Sequence, residues 1–306
     1  MAASGFRTGA RECRFVWGFP YNDRSLAPFS RIGSRQVIAL ERFIASLMPV
    51  DSKKPKPGLE AACLSDVGLH RADNEDSSLY WEPDSDDEFR RKGRLAIVAD
   101  GMGGYEGGQE ASRLAAETVR DFYDRDFSGD AKATLVTAFQ SAHDNIQRFA
   151  VEHPELRGMG TTCTAVAIIE RELFFAHVGD SRLYLVRDDS ITRLTRDHSY
   201  VGRLVETGVV RSEDAESHPQ RHILTAALGS GPEIIPDVPE HSLVLEEGDL
   251  LILCTDGLWS LVGDQDLARI ARTYPPAEAC LRLVRMAIER GAPDNITVQI
   301  LRVSTP

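Results

Sequence analysis

The feature that most constrains this chain is a short apolar run that ends in an acidic residue and a glycine-rich turn. Leu95-Ala96-Ile97-Val98-Ala99 is too short for a helix of its own, and its β-branched centre marks it as a buried strand. The strand delivers Asp100 to its C-terminal edge. Gly101, Met102, Gly103, Gly104, Gly107 and Gly108 then form a loop that turns tightly and leaves its amides and carbonyls open to a ligand. From Gln109 to Phe127 the apolar residues (Leu114, Ala115, Val119, Phe122) fall at helical spacing, so a helix packs the loop down. One Asp-Gly pair is an ordinary turn. Its recurrence carries the information.

Asp256-Gly257 follows the apolar run 250–254, Asp294-Asn295 precedes the run 296–303, and Asp180 follows the run 174–178. If these strands are neighbours in one sheet, their carboxylates converge at one end. Clustered carboxylates repel one another unless something positive lies between them. Hard divalent cations such as Mg²⁺ or Mn²⁺ accept such all-oxygen donor sets. Metals bridged by carboxylate and water suit attack of an activated water on a phosphoryl centre. That chemistry needs a cationic clamp, and Arg71 is the candidate because a guanidinium matches phosphate bidentately.

The 306 residues carry a formal net charge of −12, which argues against a nucleic-acid partner or an anionic membrane. No run reaches the length needed to span a bilayer. Five scattered cysteines without a CxxC pair read as free thiols in a reducing compartment, so a cytoplasmic protein is expected. Residues 1–58 are a basic extension and Pro/Lys linker, expected to be disordered or not part of the natural product. Within it, Met48 is a candidate start.

One domain is expected over 59–304. Strands are predicted at 59–67, 95–99, 159–169, 173–178, 182–186, 191–194, 250–254 and 296–303. The connections 170–172, 179–180 and 188–189 are short enough for antiparallel pairing. Helices are predicted at 109–127, 130–152, 264–274 and 276–290, with an excursion off the sheet at 197–235. The acidic stretch 82–94 lacks the spacing of a calcium loop and reads as a solvated hairpin tip.

Arg71-x-x-Asn74-Glu75-Asp76, Asp100-Gly101-Met102-Gly103-Gly104, Gly160-Thr161-Thr162, Val178-Gly179-Asp180-Ser181-Arg182, Asp197-His198-Ser199, Thr255-Asp256-Gly257-Leu258 and Asp294-Asn295-Ile296-Thr297 occur in that order. This set resembles the bacterial branch of the PP2C (PPM) family of metal-dependent protein serine/threonine phosphatases. The resemblance covers about 59–304. It implies an α+β fold, a four-layer α-β-β-α sandwich of two antiparallel sheets flanked by helices. Asp100 is then expected to bridge two Mn²⁺ or Mg²⁺ ions, with the Gly101 carbonyl on the second. Asp256 and Asp294 complete the first ion's shell, Glu75 and Asp76 act from behind it, and Asp180 with Asp256 resembles a third-metal site. Arg71 should hold the substrate phosphate, and 197–235, with His218 to Arg221, looks like a mobile flap. His222 is a further candidate near the third metal.

The resemblance implies phosphorylated proteins as partners, including a Ser/Thr kinase, and a monomer. Met102 departs from animal members, which carry a His there as proposed general acid. A metal-bound water near Asp180, or His70, is the substitute candidate. No Cys is followed by Arg six positions later, so a cysteine-nucleophile phosphatase is unsupported. The alternatives are a phosphoprotein-binding pseudophosphatase and a partner-switching regulatory phosphatase.

Overall fold

The structure, a computed structural model, describes residues 56–103, 106–215 and 218–305. The expectations for residues 1–55 lie outside the described residues. The end of the predicted linker is already held by the domain: Arg94 donates to the carbonyls of Lys56 and Pro57.

In chain order the elements are β1 (Leu59–Asp66), β2 (Asp76–Trp81), α1 (Asp86–Lys92), β3 (Arg94–Met102), α2 (Gly107–Arg125), α3 (Ala131–Glu152), β4 (Gly160–Thr161), β5 (Cys163–Ile169), β6 (Glu172–Val178), β7 (Arg182–Arg187) and β8 (Ser190–Arg193). They continue with α4 (Tyr200–Glu206), α5 (Ser212–Ala215), β9 (Leu243–Val244), β10 (Leu250–Cys254), α6 (Asp256–Trp259), α7 (Asp264–Thr273), α8 (Pro276–Glu289) and β11 (Ile296–Val303). One sheet runs β1-β11-β10-β7-β8. The other runs β2-β3-β5-β6-β9, with β4 paired to β3. All these pairings are antiparallel.

Three apolar layers hold four structural layers together. On β3, Leu95 and Ile97 face α2 and α3, where Ala111, Ala115, Val119, Phe139 and Ile146 pack against them. The alternate residues Ala96 and Val98 face the other sheet and meet Leu251, Leu253 and Leu301. On β10 the pattern repeats, with Ile252 and Cys254 turned to Leu267 and Leu283 of α7 and α8. Strands covered on both faces need apolar residues at every position, which explains the unbroken runs in the sequence. Each such Leu or Ile contributes about 1.5–3 kcal/mol by burial. This is the expected α-β-β-α sandwich.

Four local expectations are corrected. The stretch 82–94 holds the helix α1 rather than a bare hairpin tip. Ser85 caps it, acids fill its first turn and basic residues its last, which complements the helix dipole. The predicted strand 159–169 breaks at Thr162 into β4 and β5. The link 179–181 does not make a hairpin, because β6 and β7 belong to different sheets and the chain crosses between them there. Gly179 takes φ +109°, and a Cβ on it would fall 2.5 Å from the Thr162 side chain. The carboxylate-bearing strands are accordingly divided between two sheets instead of sharing one. Among the described residues no helix is long and apolar enough to cross a membrane.

Candidate metal centre

The two sheets meet at one end of the sandwich, and the acidic residues converge there. Asp100 ends the pairing of β2 with β3, directly opposite Asp76. The backbone of Asp100 is fixed from one side by the Gly160-Thr161-Thr162 motif. Its N–H donates to Thr162 Oγ1 at 2.9 Å, and its carbonyl accepts from Thr161 Oγ1 at 2.8 Å. Gly101 leans on the first turn of α2 so closely that a Cβ would lie 2.0 Å from the Gly108 carbonyl oxygen. Only glycine fits at that approach.

From the other sheet, β10 is followed by Thr255, whose hydroxyl donates to Asp76 Oδ2 at 2.9 Å, and Asp256 opens α6. Asp294 precedes β11. Its Oδ1 accepts the Asn295 N–H at 2.9 Å and its Oδ2 accepts Arg71 Nη2 at 2.7 Å. Asn295 is a buried knot: its amide donates to the Val67 and Asp73 carbonyls, and its Oδ1 accepts the Glu75 N–H. Asp180 sits in the sheet-crossing link, with its carbonyl bonded by the Trp259 indole N–H at 3.0 Å. Arg71, Glu75, Asp100, Gly101, Asp180, Asp256 and Asp294 all line one cavity of about 740 Å³. Asp76 lies behind it and is buried.

Electrostatics sets this cluster apart. Burial, then the charges of Asp76 and Asp256, hold Asp100 well above the usual carboxylate range. Burial, then Asp256, does the same to Asp180. Burial pushes Asp76 up to about 7, against the hydroxyl bonds that favour its charged form. Glu75 is raised by burial too, partly offset by Arg71. The Asp76 Oδ1 atom is buried with no hydrogen-bond partner. Mutually repelling carboxylates and an orphaned carboxylate oxygen form a hard, all-oxygen donor set that fits divalent cations of the Mg²⁺ and Mn²⁺ kind. The side chains are gathered without being closed into a shell: among the described residues no three His, Cys, Asp or Glu side chains stand at the spacing of a common ion. Arg71 balances Asp294 in this arrangement and lies 3.9 Å from Glu75.

Sequence reasoning named the acidic residues but not all of their supports. Thr255, Asn295 and the Thr161-Thr162 pair appear in the motifs without a role. Thr297, whose hydroxyl meets Ser65 at 2.7 Å inside β11, likewise appears in its motif without a role. The sequence carries no signal that separates these supports from other polar residues beside apolar strands. His222 lines the cavity with Nδ1 at 3.6 Å from Asp256 Oδ2, whereas the exposed His70 does not line it. Met102, Arg221, Leu224, Ser260 and Leu261 are also in the wall.

Comparison with known proteins agrees with this geometry. The family described as Protein phosphatase 2C matches residues 76–286. The serine/threonine protein phosphatase PstP of Mycobacterium tuberculosis is 38% identical over 245 residues, 80% of this chain. The chain spans only 45% of the length of that relative. The protein phosphatase PhpP of Streptococcus pneumoniae is 34% identical over 251 residues, covering 80% of this chain and 98% of the relative. The crystal structure of the PstP catalytic domain in complex with two manganese ions superposes with a TM-score of 0.69 at 34% identity, over 81% of this chain and 99% of that one. Matched by the family over residues 76–286 and by these relatives in sequence and fold, the chain belongs to the protein phosphatase 2C (PPM) family of metal-dependent protein serine/threonine phosphatases.

Proposed function

We propose that the cavity hydrolyses phosphoserine and phosphothreonine esters on proteins. The observation that carries this is the convergence of Glu75, Asp100, Asp180, Asp256 and Asp294, from two sheets, on one open cavity faced by Arg71. When bound, two Mn²⁺ or Mg²⁺ ions supply an acidified water and neutralise charge on the phosphoryl oxygens. Asp100, between the carboxylates of both sheets, would hold both ions, with the Gly101 carbonyl on the second. Asp256 and Asp294 would serve the first, and Asp180 with Asp256 could hold a third. Asp76 and Glu75 act from behind through their neighbours.

Arg71 is half exposed and paired to Asp294. It already lines the cavity, and with Asp294 engaged by a cation its guanidinium would be free to grip two phosphoryl oxygens and orient the ester. Met102 has no proton to give the departing seryl or threonyl oxygen. His222, half exposed beside Asp256, is the imidazole placed to donate one. The segment 197–235 covers this side and would act as the flap that shapes substrate choice.

Phosphoproteins of the cytoplasm, a partner Ser/Thr kinase among them, are the substrates that fit, and the chain would act as a monomer. A pseudophosphatase finds no support, since every carboxylate of the motif set is present. The test is phosphate release from a phosphothreonine protein in Mn²⁺ by wild type, Asp100→Ala and Asp256→Ala. Loss of release in both variants with a native circular-dichroism spectrum is expected. Wild-type turnover in either contradicts the assignment.

A further inference from the structure

Asp180 and Asp256 stand at the mouth of a fork. β7 and β10 pair as far as Arg182 and Cys254, and the two aspartates lie two residues beyond that last pair, one on each arm. Past it the arms part, one crossing to the other sheet and one entering α6. Each arm is braced by its own neighbours. On the Asp180 arm, a Cβ on Gly179 would collide with Thr162, and Ser181 Oγ shares a 2.7 Å hydrogen bond with Thr162 Oγ1. On the Asp256 arm, a Cβ on Gly257 would fall 1.9 Å from the Asn295 carbonyl oxygen, so α6 lies hard against the link that carries Asp294. The Thr255 hydroxyl, which donates to Asp76, also accepts the Thr297 N–H at 3.0 Å.

Trp259 bridges the two arms. It is the last residue of α6 and is buried, and its Nε1–H crosses the fork to donate to the Asp180 carbonyl at 3.0 Å. The Arg182 guanidinium lies 3.5 Å from the centre of its ring and holds it in place. Asp197 fixes that guanidinium in turn, accepting Nε and Nη2 at 3.1 and 2.7 Å, and the Tyr184 hydroxyl accepts Nη1 at 3.1 Å. A cavity of about 180 Å³ lies beside the ring, lined by Asp180, Arg182, Asp197 and Trp259 among others. The gap at the mouth is therefore set by the indole hydrogen bond more than by close packing around it.

We propose that Trp259 is a positioning residue that fixes the gap between Asp180 and Asp256 and thereby selects, by size, the cation these two carboxylates accept. The proposal rests on the reading that Asp180 and Asp256 share a cation, and the test separates the two. Hard divalent cations differ in the spacing they demand, with metal–oxygen distances of about 2.0–2.1 Å for Mg²⁺ and about 2.3–2.6 Å for Ca²⁺. Discrimination between such ions depends on the size of the site and on how far it yields. A fork pinned at a gap suited to a small ion rejects a large one. Once the pin is removed, the fork holds the small ion less well and yields to the large one.

The experiment titrates the full chain by calorimetry with the smaller Mn²⁺ and, separately, with the larger Ca²⁺. Asp180→Asn identifies the site, as the binding that this variant loses. Trp259→Phe keeps an aromatic ring against Arg182 and removes the N–H that reaches Asp180. In Trp259→Phe, Mn²⁺ affinity at that site should fall about tenfold, the equivalent of one lost hydrogen bond. Ca²⁺ affinity there should stay within about threefold of wild type or rise, so the preference for Mn²⁺ shrinks, while Mn²⁺ binding that survives in Asp180→Asn is unchanged. Benzothienylalanine in place of Trp259 exchanges only the N–H for sulfur and should give the same shift, which keeps the test open if Trp259→Phe fails to fold. Equal losses for Mn²⁺ and Ca²⁺ mean that Trp259 merely supports the fold around the site, and they overturn the proposal. Wild-type affinity for both ions in the two Trp259 variants overturns it as well. Asp180→Asn with all its Mn²⁺ binding intact contradicts the shared-cation reading, and the proposal falls with it.

Discussion

Asp76 and Asp100 stand opposite each other across β2 and β3, and folding brings their carboxylates together against mutual repulsion. That cost is the signature of a site kept for binding rather than for stability. Asp100→Asn should therefore raise the melting temperature of the metal-free protein, by about 2–4 °C for each kcal/mol relieved, while abolishing phosphate release. Melting in EDTA checks the sign. Arg71→Ala removes the counter-charge of Asp294, so it should lower metal-free stability and raise KM for a phosphopeptide about tenfold or more, read by steady-state kinetics. At this scale the aspartates were legible because each sits at a strand end beside a backbone-permissive neighbour. Thr255 and Thr297 were not, because a hydroxyl in an apolar strand reads alike whether it faces a carboxylate or nothing.

Among the elements, the crossing from β6 to β7 does most to assemble the site, since it carries Asp180 between sheets. The links at Glu170-Arg171 and Asp188-Asp189 are true hairpins. The link at Gly179-Asp180-Ser181 is as short and as polar, but Asp180 and Ser181 are buried while Glu170 and Asp188 are exposed. Sequence shows polarity, not the burial that distinguishes a crossing from a turn. Gly179→Ala should cost about 2–4 kcal/mol in urea unfolding, from a strained φ and a collision with Thr162.

His177, near the end of β6, donates Nε2–H to the Gly179 and Arg196 carbonyls and accepts Thr164 at Nδ1. Burial holds its pKa down to about 4. The unfolded chain therefore takes up a proton that the folded one refuses, and the stability this residue contributes is present above its ordinary value, then lost as pH falls towards 4. Urea titrations at pH 7 and pH 5 should differ by about 2 kcal/mol more in wild type than in His177→Gln.

For the whole molecule, the carboxylates that line the cavity come from both sheets, so a cation bound there would tie the two halves of the sandwich together. Mn²⁺ at a hundredfold excess over its dissociation constant should stabilise the protein by about 2.7 kcal/mol, seen as a higher melting temperature that EDTA reverses. The four-layer architecture followed from the ordered motifs, whereas strand patterning alone gave only a mixed α+β class. Unbroken apolar runs signal burial on both faces but do not say which strands share a sheet. The central claim is that this carboxylate cavity performs metal-dependent phosphoester hydrolysis. The most direct measurement is phosphate release from a phosphothreonine peptide by the full chain, first with Mn²⁺ and then with EDTA. Release that requires Mn²⁺ and stops with EDTA is the predicted result; no release with Mn²⁺ demonstrably bound, or release undiminished by EDTA, would contradict it.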